Sequence, residues 1–137
     1  MYVDDLIFTC DFGIAHFKAV MESEFEMTDL GLMKFFLGIE VQQSKSGIFI
    51  SKYKYANTVL KRFNMSNCKE VPTPVITGLK LRKDDDGSTV DPTLFKRLVG
   101  SLMYLTATRL DIMYGVNLIS IFMESPKDSH WKPSKRI

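Results

Sequence analysis

The pattern of apolar and polar positions predicts an α+β chain that begins with a strand and a helix. Residues 1–9 are rich in β-forming side chains and predict a strand, with a turn near Asp4 and Asp5. Apolar residues recur at roughly helical spacing over residues 12–27, so we expect an amphipathic helix that packs on a sheet. Residues 28–31 are expected to end this helix, because the glycine among them tolerates the left-handed conformation found there.

The next segment predicts a β-hairpin followed by a basic helix. Residues 35–42 read as one strand, residues 44–47 as a glycine-closed turn and residues 48–51 as the second strand. Gly38 lies inside the first strand, which indicates a bulge or the close approach of another group. Residues 52–65 then form an amphipathic helix that could cover a core with one face and meet phosphates with the other.

A linker and a second group of helices complete the pattern. Residues 66–90 contain prolines and an acidic run, and they read as an extended linker. Asp91 and Pro92 have the residue types of a helix N-cap and first turn. The apolar side of that helix is predicted to carry Leu94, Phe95, Leu98, Val99, Leu102, Met103 and Leu105. Residues 111–123 and residues 128–132 predict further helices.

A second stripe of the helix after Pro92 carries Lys96, Gly100 and Tyr104 at four-residue spacing. A glycine at this position permits the close approach of a bulky partner. A nucleic-acid groove and a neighbouring helix would both satisfy that condition, so the stripe leaves both interpretations open.

Charge is distributed unevenly, although the formal net charge is only +2. Residues 1–33 carry seven acids and one lysine, whereas residues 34–137 carry seventeen basic residues and nine acids. Residues 44–63 contain five basic residues and no acid. Such a run is typical either of a solvated face or of contact with a phosphate backbone. The adjacent Asp4 and Asp5 likewise suit either an acidic surface turn or a site for divalent cations.

Composition narrows the class of protein. An apolar fraction of 45% and a charged fraction of 25% are those of a globular chain. The two cysteines, Cys10 and Cys68, are far apart and lack zinc-site spacing, so we expect free thiols in an intracellular, reducing compartment. No apolar run is long enough to span a membrane, and no targeting signal is recognisable.

Several short motifs, in order, resemble the reverse transcriptase of copia-type retrotransposon polyproteins. They are Y-V-D-D at 2–5, D-L-G at 29–31, F-L-G-I-E-V at 36–41, G-I-F-I-S at 47–51, K-Y-A at 54–56, P-T-P at 72–74, L-V-G-S-L-M-Y-L-T-A-T-R at 98–109, D-I at 111–112 and H-W-K at 130–132. Each motif is weak alone, whereas their order and spacing cover nearly the whole chain.

The resemblance implies a partial polymerase palm followed by a helical, thumb-like region. Residues 1–51 would hold a short antiparallel sheet, one helix, the catalytic turn and a hairpin similar to the primer grip. Residues 52–90 would be a basic helix and linker, and residues 91–137 a truncated thumb. The helix over residues 93–107 resembles the retroviral thumb helix that follows the minor groove, which in an A-form-like hybrid is wide and shallow.

The resemblance also implies roles for individual residues. Asp4 and Asp5 would help to hold two Mg²⁺ ions, and Tyr2 would contact the primer end and the incoming deoxynucleoside triphosphate. Lys34 would donate a proton to pyrophosphate. Contacts to an RNA/DNA primer-template duplex are expected from Gly38, Lys45, Lys54, Lys61, Arg62, Lys96, Gly100 and Tyr104.

Departures from the family pattern bear on activity. Leu110 replaces the usual proline in T-R-P-D-I, Ile121 replaces an arginine, and Pro133 and Ser134 stand where alanines are typical. No acid elsewhere in the chain lies in a motif that could be the palm's other metal-binding aspartate. The expectation is therefore a carboxy-terminal palm and thumb fragment that is inactive alone. A stand-alone primer-template-binding module and a non-functional remnant are the alternatives.

Overall fold

The computed structural model describes residues 6–9, 13–83 and 87–137. The chain forms two compact units, Met1–Met33 and Lys34–Ile137, which are described separately below. The three sequence regions proposed above, 1–51, 52–90 and 91–137, remain a prediction.

The first unit contains one helix in its described part, α1, at Ile14–Glu24. It lies within the helix predicted over residues 12–27. Residues 6–9 have no regular secondary structure, so the predicted strand is wrong for them. Phe8 packs its ring on Phe17 of α1, with 4.9 Å between ring centroids. The predicted turn at Asp4 and Asp5 lies outside the described residues.

Gly31 is not the residue that ends α1. The helix ends at Glu24, and Phe25 is already extended. Gly31 does have a positive φ of 76°, but it belongs to a local turn in which its N–H donates to Asp29 Oδ1 at 2.8 Å. Lys18 Nζ bonds the other oxygen of Asp29 at 2.6 Å, and this bond lowers the pKa of the Asp29 carboxyl. Local side-chain hydrogen bonding, rather than helix capping, accounts for this glycine.

The second unit begins with an antiparallel sheet in the order β1-β2-β3. The strands are Phe35–Phe36, Ile39–Ser44 and Gly47–Ser51. The β2–β3 hairpin is confirmed, with Ser44 paired to Gly47 across a two-residue turn. The single first strand predicted over residues 35–42 is wrong, because the chain reverses between Phe36 and Ile39.

Helix α2, Tyr53–Arg62, follows β3 directly. It ends in a Schellman motif, in which the Met65 N–H donates to the Leu60 carbonyl at 2.8 Å and the Asn64 N–H to the Lys61 carbonyl at 3.2 Å. Asn64 has a φ of 56°, the left-handed conformation that this motif requires. The predicted helix is therefore confirmed, but it stops short of residue 65.

Helix α3, Pro92–Leu105, begins as the sequence predicts. Asp91 Oδ1 accepts a hydrogen bond from the Thr93 N–H at 2.8 Å, and Pro92 occupies the first helical position. Leu94 and Met103 are exposed, so the predicted apolar side is wrong for these two residues.

Both of the last predicted helices are present, with different bounds. A 3-10 turn at Leu110–Ile112 leads into α4, Met113–Ser120, and α5 occupies Asp128–Ser134. The helix predicted over residues 111–123 ends early because the N–H groups of Phe122 and Met123 bond carbonyls three residues back, which tightens its last turn.

The core of the second unit lies among its helices. Fully buried apolar side chains include Phe95 and Val99 of α3 and Val116 and Ile119 of α4. The core is made of Val59, Phe63, Phe95, Leu98, Val99, Leu102, Leu105, Ile112, Val116, Ile119 and Phe122. An α+β fold with an antiparallel sheet is thus confirmed for the described residues. None of the described helices combines the length and apolarity needed to cross a membrane.

Candidate nucleic-acid interface

The β1–β2 turn consists of Leu37 and Gly38, and both have positive φ angles, 45° and 78°. Two successive positive φ values in a two-residue hairpin are the signature of a type I′ turn, which favours glycine. A Cβ at Gly38 would also lie 2.5 Å from the Tyr104 hydroxyl oxygen. The prediction of a bulge is wrong, whereas the expected close approach is made by Tyr104 of α3.

Tyr104 joins the β1–β2 turn to helix α3. Its hydroxyl donates to the Leu37 carbonyl oxygen at 2.7 Å, and the ring of Tyr55 meets its ring edge-on at 4.7 Å. Lys52 Nζ lies 3.2 Å from the centroid of the Tyr104 ring, which is a cation–π contact. One aromatic side chain therefore links the sheet, α2 and α3.

Lys52 is an unusual lysine, because only 5% of its surface is exposed. Its ammonium donates to the Tyr104 carbonyl oxygen at 2.7 Å. That carbonyl is in the last turn of α3, where carbonyls lack helical partners and a positive charge favours the helix dipole. Burial nevertheless lowers the pKa of Lys52.

Glu40 of β2 caps α2 from the neighbouring sheet. Its Oε1 accepts a hydrogen bond from the Lys54 N–H at 2.8 Å, while the N-cap residue Lys52 makes no side-chain cap bond. A carboxylate at a helix N-terminus is favoured both by hydrogen bonding and by the dipole. The hairpin and α2 are therefore coupled through a second polar contact.

The predicted basic contacts are exposed. Lys45 lies in the β2–β3 turn, while Lys54, Lys61 and Arg62 project from α2. Lys54 and Lys61 are seven residues apart, two helical turns, and so share one side of the helix. This side of α2 presents positive charge without an ion-pair partner in the described residues.

The predicted stripe on α3 is also exposed. Lys96, Gly100 and Tyr104 are all exposed, although Tyr104 also contacts the β1–β2 turn and α2. A Cβ at Gly100 would meet nothing within 4 Å in the described structure, so no neighbouring helix of this unit requires the glycine. Of the two interpretations of Gly100, packing against another helix of this unit is excluded there.

An apolar groove of about 430 Å³ lies beside this surface. Its walls come from β3, α2, α3 and the C-terminal residues, among them Phe49, Tyr53, Leu102 and Ile137. Most of its lining is apolar, which distinguishes it from the basic side of α2.

Comparisons with known proteins decide the family. The profile of the family described as reverse transcriptase (RNA-dependent DNA polymerase) matches residues 1–77, more than half of the chain. This chain belongs to that reverse transcriptase family. The match covers the Y-V-D-D motif, the sheet and α2, and it ends before α3.

Curated relatives align with the whole chain. The Pol polyprotein from transposon TNT 1-94 of Nicotiana tabacum is 38% identical over 148 residues, and the chain covers 11% of it. The Pol polyprotein from transposon RE2 of Arabidopsis thaliana is 35% identical over 139 residues, with 10% covered. An uncharacterized mitochondrial protein of Arabidopsis thaliana is 37% identical over 142 residues, with 58% covered. No solved structure matches significantly.

The reverse transcriptase motifs of this chain have identifiable structural roles. In F-L-G-I-E-V, Leu37 and Gly38 form the type I′ turn, Glu40 caps α2 and Val41 is buried. In T-R-L-D-I, the Arg109 guanidinium bonds both oxygens of Asp111, at 2.8 and 2.7 Å. Leu110, which replaces the family proline, is exposed.

The H-W-K motif organises α5. The Nδ1 of His130 accepts from the Lys127 N–H at 2.9 Å, so its Nε2 carries the proton that is donated to the Arg82 carbonyl, also at 2.9 Å. The ring stacks on Phe122 at 3.9 Å, and Trp131 packs against Phe63 and Phe95. This histidine is a buried structural residue that joins the linker to the last helix.

The predicted catalytic residues are only partly within the described structure. Tyr2, Asp4 and Asp5 lie outside it. Lys34 is exposed, and its carbonyl accepts from the Val41 N–H at 2.9 Å, which continues the β1–β2 ladder. Within the described ranges, no three His, Cys, Asp or Glu side chains gather as a metal site would require.

Sequence reasoning missed Glu40 and Lys52 as the residues that join the hairpin to the helices. Lys52 belongs to the basic run of residues 44–63, and nothing in its spacing separates it from the exposed Lys54. The only available signal for its burial is the position of residue 52 on the apolar face of the predicted helix.

Proposed function

We propose that this chain contributes the catalytic turn and part of the primer-template surface of an RNA-directed DNA polymerase. The observation that carries this proposal is the family match over residues 1–77, which includes Tyr2, Asp4 and Asp5. In this proposal the strands β1–β3 act as the primer grip, α3 acts as the thumb helix, and the linker separates them.

Asp4 and Asp5 provide carboxylate oxygens, the donor type that Mg²⁺ prefers. When bound, two Mg²⁺ ions supply charge neutralisation for nucleotidyl transfer. In the proposal, Tyr2 orients the primer end and the incoming deoxynucleoside triphosphate, and Lys34 delivers a proton to the departing pyrophosphate. A further carboxylate must come from outside this chain, because no other acid here occupies a suitable motif.

The primer-template duplex is proposed to lie on the basic side of α2 and the outer stripe of α3. Lys45, Lys54, Lys61 and Arg62 would contact phosphates. Lys96 would do the same from α3, while the open space at Gly100 admits the shallow minor groove of a hybrid duplex. Gly38 contributes through its turn rather than through a side chain.

Binding tests the surface directly. A fluorescent RNA/DNA hybrid is titrated with the chain at several salt concentrations, and the affinity is expected to fall steeply with salt through counterion release. Lys61→Gln and Arg62→Gln should each lower the salt slope by about one. Lys80→Gln, in the linker, is the matched control and should leave the slope unchanged. Absence of binding at low salt would overturn the proposed surface.

Primer extension tests the catalytic part. The chain alone, with Mg²⁺ and a homopolymer RNA template, is expected to give no extension. Extension by the chain alone that is abolished by Asp4→Asn would overturn the requirement for an outside carboxylate. Failure of Asp4→Asn to affect extension in a polymerase that contains this chain's sequence would overturn the catalytic role of Asp4.

A stand-alone duplex-binding module is the second candidate function. Residues 34–137 form a unit with its own buried core and carry all the proposed phosphate contacts, which favours this alternative. This alternative would be selected if the chain binds the duplex but has no effect on primer extension by the other parts of a polymerase. A broad, non-cooperative thermal transition would instead favour a non-functional remnant.

A further inference from the structure

We infer that Tyr104 and Lys52 are positioning residues that hold the β1–β2 turn against the C-terminal end of α3. This inference rests on the proposed function, since it assigns these two residues a role in how a duplex is held. Tyr104, Lys52 and the Leu37 carbonyl that accepts from Tyr104 are together called the clamp below.

Three contacts converge on Tyr104, one from the β1–β2 turn and two from Lys52. The hydroxyl donates to the Leu37 carbonyl, the Lys52 ammonium covers the ring, and the same ammonium bonds the Tyr104 carbonyl. The hydroxyl has a single proton to donate, and that proton is engaged by Leu37. Tyr104 therefore has less capacity for a direct contact to a base or phosphate than its exposed position on α3 suggests.

The buried ammonium of Lys52 supports a specific role for the clamp. Burying a charge is unfavourable unless it is compensated, and here a carbonyl and an aromatic face provide the compensation. Gly38 is part of the same arrangement, because any side chain there would collide with the Tyr104 hydroxyl. The positions of the β1–β2 turn, Lys52 and Tyr104 thus depend on one another.

The consequence is a fixed spacing between two parts of the proposed duplex surface. Sheet and α2 are joined by Glu40, and sheet and α3 by the clamp. Lys54 on α2 and Lys96 on α3 would then meet the duplex as parts of one rigid surface. Loosening the clamp should weaken duplex binding although the proposed phosphate contacts, such as Lys54 and Lys96, stay in place.

Tyr104→Phe tests the clamp with the smallest change, because it removes only the hydroxyl. The matched control is Tyr114→Phe on α4, where the tyrosine is exposed. Amide hydrogen exchange of residues 35–41 is measured in the full chain without nucleic acid, and hybrid-duplex affinity is measured separately. Loss of one neutral hydrogen bond should speed exchange and weaken binding by about fivefold each.

Lys52→Met is the second variant, since it keeps an unbranched side chain and removes the ammonium charge. Its effect on hairpin exchange should exceed that of Tyr104→Phe, and Lys52→Arg should recover part of the loss. The effect of the double variant Lys52→Met/Tyr104→Phe on hairpin exchange should be smaller than the sum of the two single effects, because both changes release the same turn.

The outcomes separate the alternatives. Unchanged hairpin exchange in Tyr104→Phe would overturn the clamp, and reduced affinity alongside it would identify a direct contact instead. Faster exchange with unchanged duplex affinity would overturn the positioning role. If the wild-type chain binds no duplex, the proposed function and the positioning role fail together, while the exchange result still decides whether the clamp itself exists.

Discussion

The helical layer and the sheet of the second unit are stabilised in different ways. Phe95 of α3 is fully buried and Val116 of α4 is 1% exposed, whereas Ile48 and Phe49 of β3 are 65% and 64% exposed. The helices hold one another by apolar burial, which is strong and non-directional. The sheet is attached mainly through Glu40, Lys52 and Tyr104, whose hydrogen bonds are weaker but directional. The stability of the fold therefore depends on the helical layer, and the geometry of the proposed duplex surface depends on how the sheet is attached.

The largest expected effect comes from the helical core. Phe95→Ala should lower the free energy of unfolding by about 3 to 5 kcal/mol, because it leaves a cavity at a fully buried position. Phe49→Ala on β3 is the matched control and should change it by about 0.5 kcal/mol or less. Urea unfolding followed by circular dichroism measures both. Equal losses would break the distinction between the two layers.

Two glycines in neighbouring helices should respond in opposite directions. A Cβ at Gly115 of α4 would lie 3.0 Å from Val75 and 3.1 Å from Ile137, so Gly115→Ala should destabilise the chain by about 1 to 3 kcal/mol. Gly100→Ala on α3 meets open space and should stabilise by about 0.5 to 1 kcal/mol.

Thermal unfolding measures both glycine variants. A destabilising Gly100→Ala would show that the outer side of α3 is covered, and the duplex surface proposed there would have to be abandoned.

The third expected effect concerns attachment of the sheet. Glu40→Ala removes the cap of α2 and should lower the free energy of unfolding by about 1 kcal/mol. Gln42→Ala, at an exposed position on the same strand, is the control. Hydrogen exchange should localise the change to β2 and the first turn of α2. A uniform change across α3 and α4 would contradict the view that Glu40 acts locally.

The smallest expected effect is the ion pair of Arg109 and Asp111. The Arg109 hydrogen bonds lower the pKa of Asp111 from its ordinary 3.8, so the pair stabilises the fold above that pH. This contribution is lost as the pH falls through the lowered pKa. Asp111→Asn should cost less than about 1 kcal/mol at neutral pH, because the pair is exposed, and nothing at low pH. A larger loss at neutral pH would show that polar contacts matter in the helical layer too.

Local sequence signals predicted the bounds of helices and hairpins well where a residue type is typical of one structural position. Asp91 and Pro92 marked the start of α3, and the polar turn closed by Gly47 marked the β2–β3 hairpin. The family, too, was recognisable from ordered motifs. The bulge predicted at Gly38 and the helix end predicted at Gly31 are wrong, because a positive φ serves a hairpin turn, an Asx turn and a helix end equally. The close approach expected at Gly38 is confirmed, since Tyr104 makes it.

The contacts that join the elements could not be predicted. Glu40 and Lys54 are fourteen residues apart and Lys52 and Tyr104 fifty-two, and no periodicity connects such pairs. The burial of Lys52 and His130 could not be predicted either, since burial of a polar side chain depends on partners from distant elements. The catalytic role of Asp4 and Asp5 remains a prediction from the family motif.

β3 lies at the edge of the sheet and pairs with β2 alone among the described residues. Ile48, Phe49 and Ile50 follow one another there, all exposed. An open strand edge with consecutive apolar side chains is a template for pairing between molecules. Concentrated stocks of this chain should therefore self-associate, and light scattering at working concentration is needed before any titration is interpreted.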